Sequence, residues 1–141
     1  MTIVLVAVLI LGGWTLNGRD TPDPIGRSFP AARIALDALR QHESLDGRKM
    51  TGDGGLARGW LHQHRGHWID GCGYLGVDWP WPESTHDLEK CEHVALANWC
   101  RYSYKHIQNV PELVRRFRLP FDSYRKNNDA YLKKVMRRIK K

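Results

Sequence analysis

The sequence predicts a mostly α domain of about five helices, with a glycine-rich loop between the first two. Three observations lead there. Apolar residues recur at helical spacing from residue 30 onward, cap-like residues and prolines punctuate that pattern, and no alternating strand pattern of any length appears.

The first helix opens at Pro30, a residue suited to a first helical turn, and ends at Glu43. Leu36, Leu39 and Glu43 fall at i, i+3 and i+7, so the glutamate continues an apolar stripe instead of joining Asp37 and Arg40 on the polar side. A carboxyl group at the lip of an apolar face is partly desolvated. Desolvation favours the protonated form, which is the form a general acid uses. Thr51-Gly52-Asp53-Gly54-Gly55 cannot continue a helix cheaply, and a loop there can fold back to set Asp53 opposite Glu43. Two carboxyl groups in unlike surroundings, one apolar and one wet, are the minimum equipment for cleaving a glycosidic bond. The plainer reading of the same residues is a half-buried helix end and an ordinary turn aspartate.

A second helix is expected from Leu56 to Ile69, where Leu56, Trp60, Leu61, His64 and Trp68 form an amphipathic stripe and Gly71-Cys72-Gly73 ends it. Tyr74 to Pro82 follows as an aromatic, proline-rich loop. Trp79 and Trp81 flank Pro80 and cannot share a helix with it, so they either contact carbohydrate or plug the core beneath the loop. Ser84-Thr85-His86-Asp87 has the form of a helix N-cap with an acid three residues on. The helix it opens should reach Ile107, bury Leu88, Cys91, Ala95, Trp99 and Tyr102, and form the centre of the core. Asn109-Val110-Pro111-Glu112 starts a short helix with Leu113, Val114 and Phe117, which Leu119-Pro120-Phe121 breaks. The last helix should span Asp122 to Ile139. Tyr124, Tyr131, Leu132, Val135 and Ile139 share one face, and Arg125, Lys126, Lys133, Lys134, Arg137 and Arg138 make the other strongly basic.

Ahead of the domain, residues 3–11 are apolar without interruption. The run is short for a spanning helix, which needs about 20 residues, and has the length of a signal-peptide core. Export or membrane anchoring by residues 1–16 is the expectation, with a buried strand or helix of the domain as the alternative. Residues 17–29 hold two prolines and two glycines and read as a linker, which places the domain at 30–141.

The chain of 141 residues has the length of one domain, a net charge of +7 and a pI near 9.6. An anionic partner is implied: a nucleic acid, a membrane surface or a cell wall. The basic last helix has few base-reading residue types and only Tyr131 for stacking, so a wall or membrane surface is expected over nucleic acid. The six tryptophans and five tyrosines suit sugar and base stacking alike. In an exported chain the three cysteines allow one disulfide. Cys91 and Cys100 would point to opposite sides of one helix, Cys72 could pair with either, and three reduced buried thiols are equally open. His62, His64, His67 and Cys72 cluster in sequence but match no closed zinc pattern, and no metal or cofactor is expected. There is no G-x-S-x-G, and Cys91 and Cys100 sit inside helices, so a serine or cysteine nucleophile finds no support.

Several of these residues together carry a likeness. The helix ending Glu43-Ser44, the loop Gly52-Asp53-Gly54-Gly55, the segment Gly59-Trp60-Leu61-His62 and then Trp68-Ile69-Asp70 follow one another in an order that resembles the small lysozyme-like glycosidases of the invertebrate type, and the related lytic transglycosylase-like domains of bacteria and phages. Asn98-Trp99-Cys100-Arg101-Tyr102 and Tyr131-Leu132-Lys133-Lys134-Val135 are similar to later motifs of that family, so the likeness runs from residue 30 to 136 on short motifs. It implies a lysozyme-like helical fold acting on peptidoglycan glycan strands, in a phage or bacterial envelope setting. Glu43 would be the catalytic acid and Asp53 the second carboxylate, with Ser44, Gly59, Trp60, His62, Trp79 and Trp81 around the sugar. The chain departs from the family at His62, which replaces a cleft-lining glutamine, and at Arg118-Leu119-Pro120-Phe121, which replaces a His-Asn-Gly-Gly turn. A non-catalytic wall- or virion-binding module on the same fold is the alternative.

Overall fold

A computed structural model describes residues 23–118 and 129–139. The protein is mostly helical, with one small antiparallel sheet. Helices α1 (Pro24–Ser28) and α2 (Pro30–Glu43) are followed by strands β1 (Thr51–Gly52), β2 (Ala57–Arg58) and β3 (Gln63–His64). Then come α3 (Arg65–Leu75), α4 (Leu88–Tyr102), α5 (Val110–Arg118) and α6 (Asp129–Ile139).

Helix α4 is the centre of the core, as its pattern predicts. Every residue from Cys91 to Cys100 is buried: α3 packs along one side, α5 along another, and Arg33 of α2 reaches Glu92. Asp87 caps it by accepting the Lys90 N–H, three residues later than the cap expected at Ser84. The helix stops at Tyr102, short of Ile107, and Tyr102 itself is exposed. Leu36, Leu39, Trp68, Leu96, Leu113 and Val135 fill the space between the helices, each fully buried. Burial of a side chain of this size contributes roughly 1.5–3 kcal/mol.

Between α2 and α3 the structure departs from the sequence reading. The stretch from Leu56 to His64 is not helix. Thr51 pairs with Arg58, Gly52 with Ala57, Ala57 with His64 and Arg58 with Gln63, giving a sheet in the order β1-β2-β3. The helical stripe fails because Gly54, Gly55, Gly59 and His62 all take positive φ, which a helix excludes. Leu56, the stripe's first residue, lies 65% exposed at the hairpin tip. The helix starts at Arg65 and runs through Gly71-Cys72-Gly73 to the left-handed Gly76.

Residues 24–28, at the end of the expected linker, form α1 and are held to the domain. Ile25 and Phe29 enter the core, and Arg33 reaches from α2 to Asp23 Oδ2 at 2.7 Å and to the buried Glu92 of α4. Burial pushes the Glu92 carboxyl up, against the pull of the Arg33 guanidinium. Burial also raises Asp23, but the Arg33 hydrogen bond and charge together with the Gly26 and Ile25 N–H groups hold it below the usual carboxylate range. Cys72, Cys91 and Cys100 are free and buried. Burial pushes the Cys91 and Cys100 thiols up to about 12, which leaves them without thiolate character at neutral pH. Lys133, Lys134 and Arg137 stand exposed on α6 opposite Tyr131 and Val135, as expected for its basic face. Among the described residues, no helix is long and apolar enough to cross a membrane. Residues 1–16, Leu119-Pro120-Phe121, Tyr124, Arg125 and Lys126 lie outside the described residues.

Candidate active site

Helix α2 delivers Glu43 at its last turn. Ser44 ends the helix: its N–H and its hydroxyl both return to the Arg40 carbonyl, and its Oγ accepts the Gly47 N–H at 3.0 Å. Leu45 and Asp46 then take left-handed φ, and an Arg40–Asp46 ion pair of 2.9 Å ties the turn to α2. This sharp reversal sends the chain straight into β1, so the sheet is built beside the helix end.

Glu43 lies on the wall of a cavity of about 530 Å³. The sheet contributes Asp53, His62, Gln63 and His64, α3 contributes His67 and Asp70, and α6 contributes Tyr131. Phe117 and Arg116 of α5 and Trp99 of α4 close the far side. The Glu43 side chain is 18% exposed. Its Oε1 accepts a hydrogen bond from the Tyr131 hydroxyl, and its Oε2 lies 3.6 Å from His62 Nδ1. His42 stands edge-on to Tyr131, with ring centroids 5.4 Å apart. Asp53 is paired differently: His64 Nε2 lies 2.8 Å from its Oδ2, and both side chains are more than half exposed. The two carboxyl groups therefore line one cavity in unlike surroundings, Glu43 sheltered and Asp53 wet.

Deeper in, His67 packs edge-on to Phe117, and its Nε2 reaches neither solvent nor a hydrogen-bond partner. Burial pushes this imidazole down to about 4, with Asp70 pulling the other way. His67 is thus neutral at physiological pH. Among the described residues, no group of three or more metal-ligating side chains is placed to hold an ion.

Of the residues expected at the site, Glu43, Asp53 and His62 line the cavity. The others lie elsewhere, and each has a structural task. Ser44 is fully buried as the helix stop. Gly59 has φ +81°, and a Cβ there would fall 2.2 Å from the Thr85 carbonyl oxygen, so glycine is demanded by close approach of two loops. Trp60 donates to the His86 carbonyl and covers the turn at Gly47. Trp79 and Trp81 pack against the core; the Trp79 carbonyl accepts from the Trp68 indole, and the Trp81 indole reaches the Gln63 carbonyl. Both are partly buried against the core, and neither lines the cavity.

Tyr131 is the cavity residue whose part the sequence conceals. It reads as one more apolar-face residue of the last helix, and no local spacing ties it to Glu43. Compared with protein-family models, with curated proteins and with solved structures, the chain finds no significant match.

Proposed function

We propose that the protein is a peptidoglycan-degrading glycosidase that cleaves the N-acetylmuramic acid–N-acetylglucosamine strand, with Glu43 as general acid and Asp53 as second carboxylate. The observation that carries the reading is the unlike placement of these carboxyls on one cavity, Glu43 sheltered beneath Tyr131 and Asp53 exposed beside His64. In the proposed reaction Glu43 gives its proton to the leaving glycosidic oxygen, which also takes the electron pair of the breaking C–O bond. Asp53 then faces the positive charge that develops on the sugar. Water attacks the sugar carbon and returns a proton to the Glu43 carboxylate. The net charge of +7 and the exposed lysines of α6 would draw the protein to an anionic wall or membrane at the cell envelope, to which residues 1–16 would export or anchor it.

Turbidity of a purified peptidoglycan suspension tests the reading, with the wild-type protein run beside Glu43→Gln. Wild type should clear it, and the variant should lose at least about 100-fold in rate while keeping its thermal midpoint. Equal clearing by both would refute the assignment. A second reading, a non-catalytic wall-binding module, draws on the His64 contact that already occupies Asp53. It predicts sedimentation with the wall and no release of reducing ends.

A further inference from the structure

We propose that His62 is the positioning residue for the general acid and fixes the Glu43 proton on Oε2. The inference rests on the glycosidase reading and deepens it.

Several features of the geometry meet at this one ring. A carbonyl oxygen only accepts, so the 2.7 Å contact between His62 Nε2 and the Lys49 carbonyl puts a hydrogen on Nε2. In the neutral imidazole Nδ1 is then bare, and Nδ1 is the atom that faces Glu43 Oε2 at 3.6 Å. The other oxygen, Oε1, already takes the Tyr131 hydroxyl hydrogen. A protonated carboxyl places its O–H toward an acceptor and away from a donor, so the proton belongs on Oε2. At 3.6 Å the bare nitrogen draws the hydrogen to Oε2 electrostatically without forming a hydrogen bond, so Oε2–H can still meet a sugar oxygen.

The backbone has been shaped to hold this ring. His62 sits at φ +46°, a left-handed conformation that non-glycine residues adopt at a cost and that concentrates at functional sites. Gly52 makes room for the ring, since a Cβ at that position would lie 2.7 Å from His62 Nδ1. The turn after Ser44 brings the Lys49 carbonyl to Nε2 and so selects the tautomer.

During bond cleavage the Oε2 proton passes to the leaving oxygen with no change at His62. A second proton on Nδ1 would turn the same ring face into a cation beside Oε2, which favours the carboxylate and disarms the acid. The other titratable groups around this pair are Tyr131 on Oε1, His42 against Tyr131, and the Asp53–His64 pair on the sheet.

The experiment measures kcat and KM across pH for wild type, His62→Gln and Gly52→Ala. Gly52→Ala keeps both partners and only displaces the ring. Both variants should lose roughly tenfold or more in kcat and keep KM. A wild-type kcat in His62→Gln would overturn the proposal, as would a rise in KM alone, which marks a sugar contact. Retained lysis by Glu43→Gln would remove the glycosidase reading itself, whereas lysis lost in Glu43→Gln and unchanged in His62→Gln would remove only the role of His62. Nitrogen-15 spectra of the wild-type imidazole decide the tautomer without activity or a variant. The Nε2–H form at neutral pH is expected, and the Nδ1–H form would overturn the proposal.

Discussion

The Tyr131 hydroxyl donates to Oε1 of Glu43 across 88 residues of chain. Helix α6 thereby closes over the end of α2, and the acid is sheltered by a residue from the far end of the fold. A carboxyl group whose Oε1 accepts from a phenol is held in one orientation.

Tyr131→Phe removes that donor and keeps the ring against His42. Stability should fall by about 1 kcal/mol, the usual net worth of one such hydrogen bond. Activity should fall further, because Glu43 loses the contact that holds its orientation. Urea unfolding beside a peptidoglycan-clearing assay measures both. A stability loss with wild-type clearing would show that Tyr131 only packs.

Asp53→Asn removes one partner of an exposed ion pair with His64. Exposed pairs contribute about 0–1 kcal/mol, so the thermal midpoint should barely move. If Asp53 is the second carboxylate, hydrolysis should fall by about 100-fold or more. Mass spectrometry of the released fragments separates reducing ends from anhydro products. Undiminished formation of anhydro products by the variant would assign a transglycosylase route through Glu43 alone.

Arg33→Ala should destabilise the fold by roughly 3 kcal/mol, since it leaves Glu92 buried without its cation. Glu92 is 6% exposed, and Arg33 is also the tie between α1 and α2. Denaturant midpoints test this, and limited proteolysis near Asp23 should report the release of α1.

His67 makes the fold sensitive to acid. Its ordinary value is 6.5 and burial lowers it to about 4 in the folded protein. Between those values the unfolded chain binds a proton that the folded chain refuses. Its contribution is therefore complete above pH 6.5 and falls away as the pH drops toward 4. His67→Leu should remove this share of the acid sensitivity. Unfolding free energies at pH 7 and pH 4.5 should differ less in the variant than in wild type, and equal differences would exclude His67 as the source.

The mostly helical class, the helix from Pro30 to Glu43 and the buried central helix around Cys91–Cys100 were legible along the chain. These follow from local rules: apolar spacing, caps and proline positions act within a few residues and leave a readable trace. The sequence also singled out Glu43, because a charged residue on an apolar stripe is visible along one helix. The stretch from Leu56 to His64 misled for the same reason. Its apolar residues happen to repeat at helical spacing, while the deciding terms were close approaches to distant chain: Gly59 against Thr85, and the His62 ring against Gly52. Which side chains line the cavity depended on packing between distant elements. Trp79 and Trp81 went to the core because the indole and carbonyl groups of the loop found partners there. Tyr131 went to Glu43 because α6 packs across α2. Contacts between residues far apart in the chain are set by how whole helices bury their faces, and no local pattern encodes that choice.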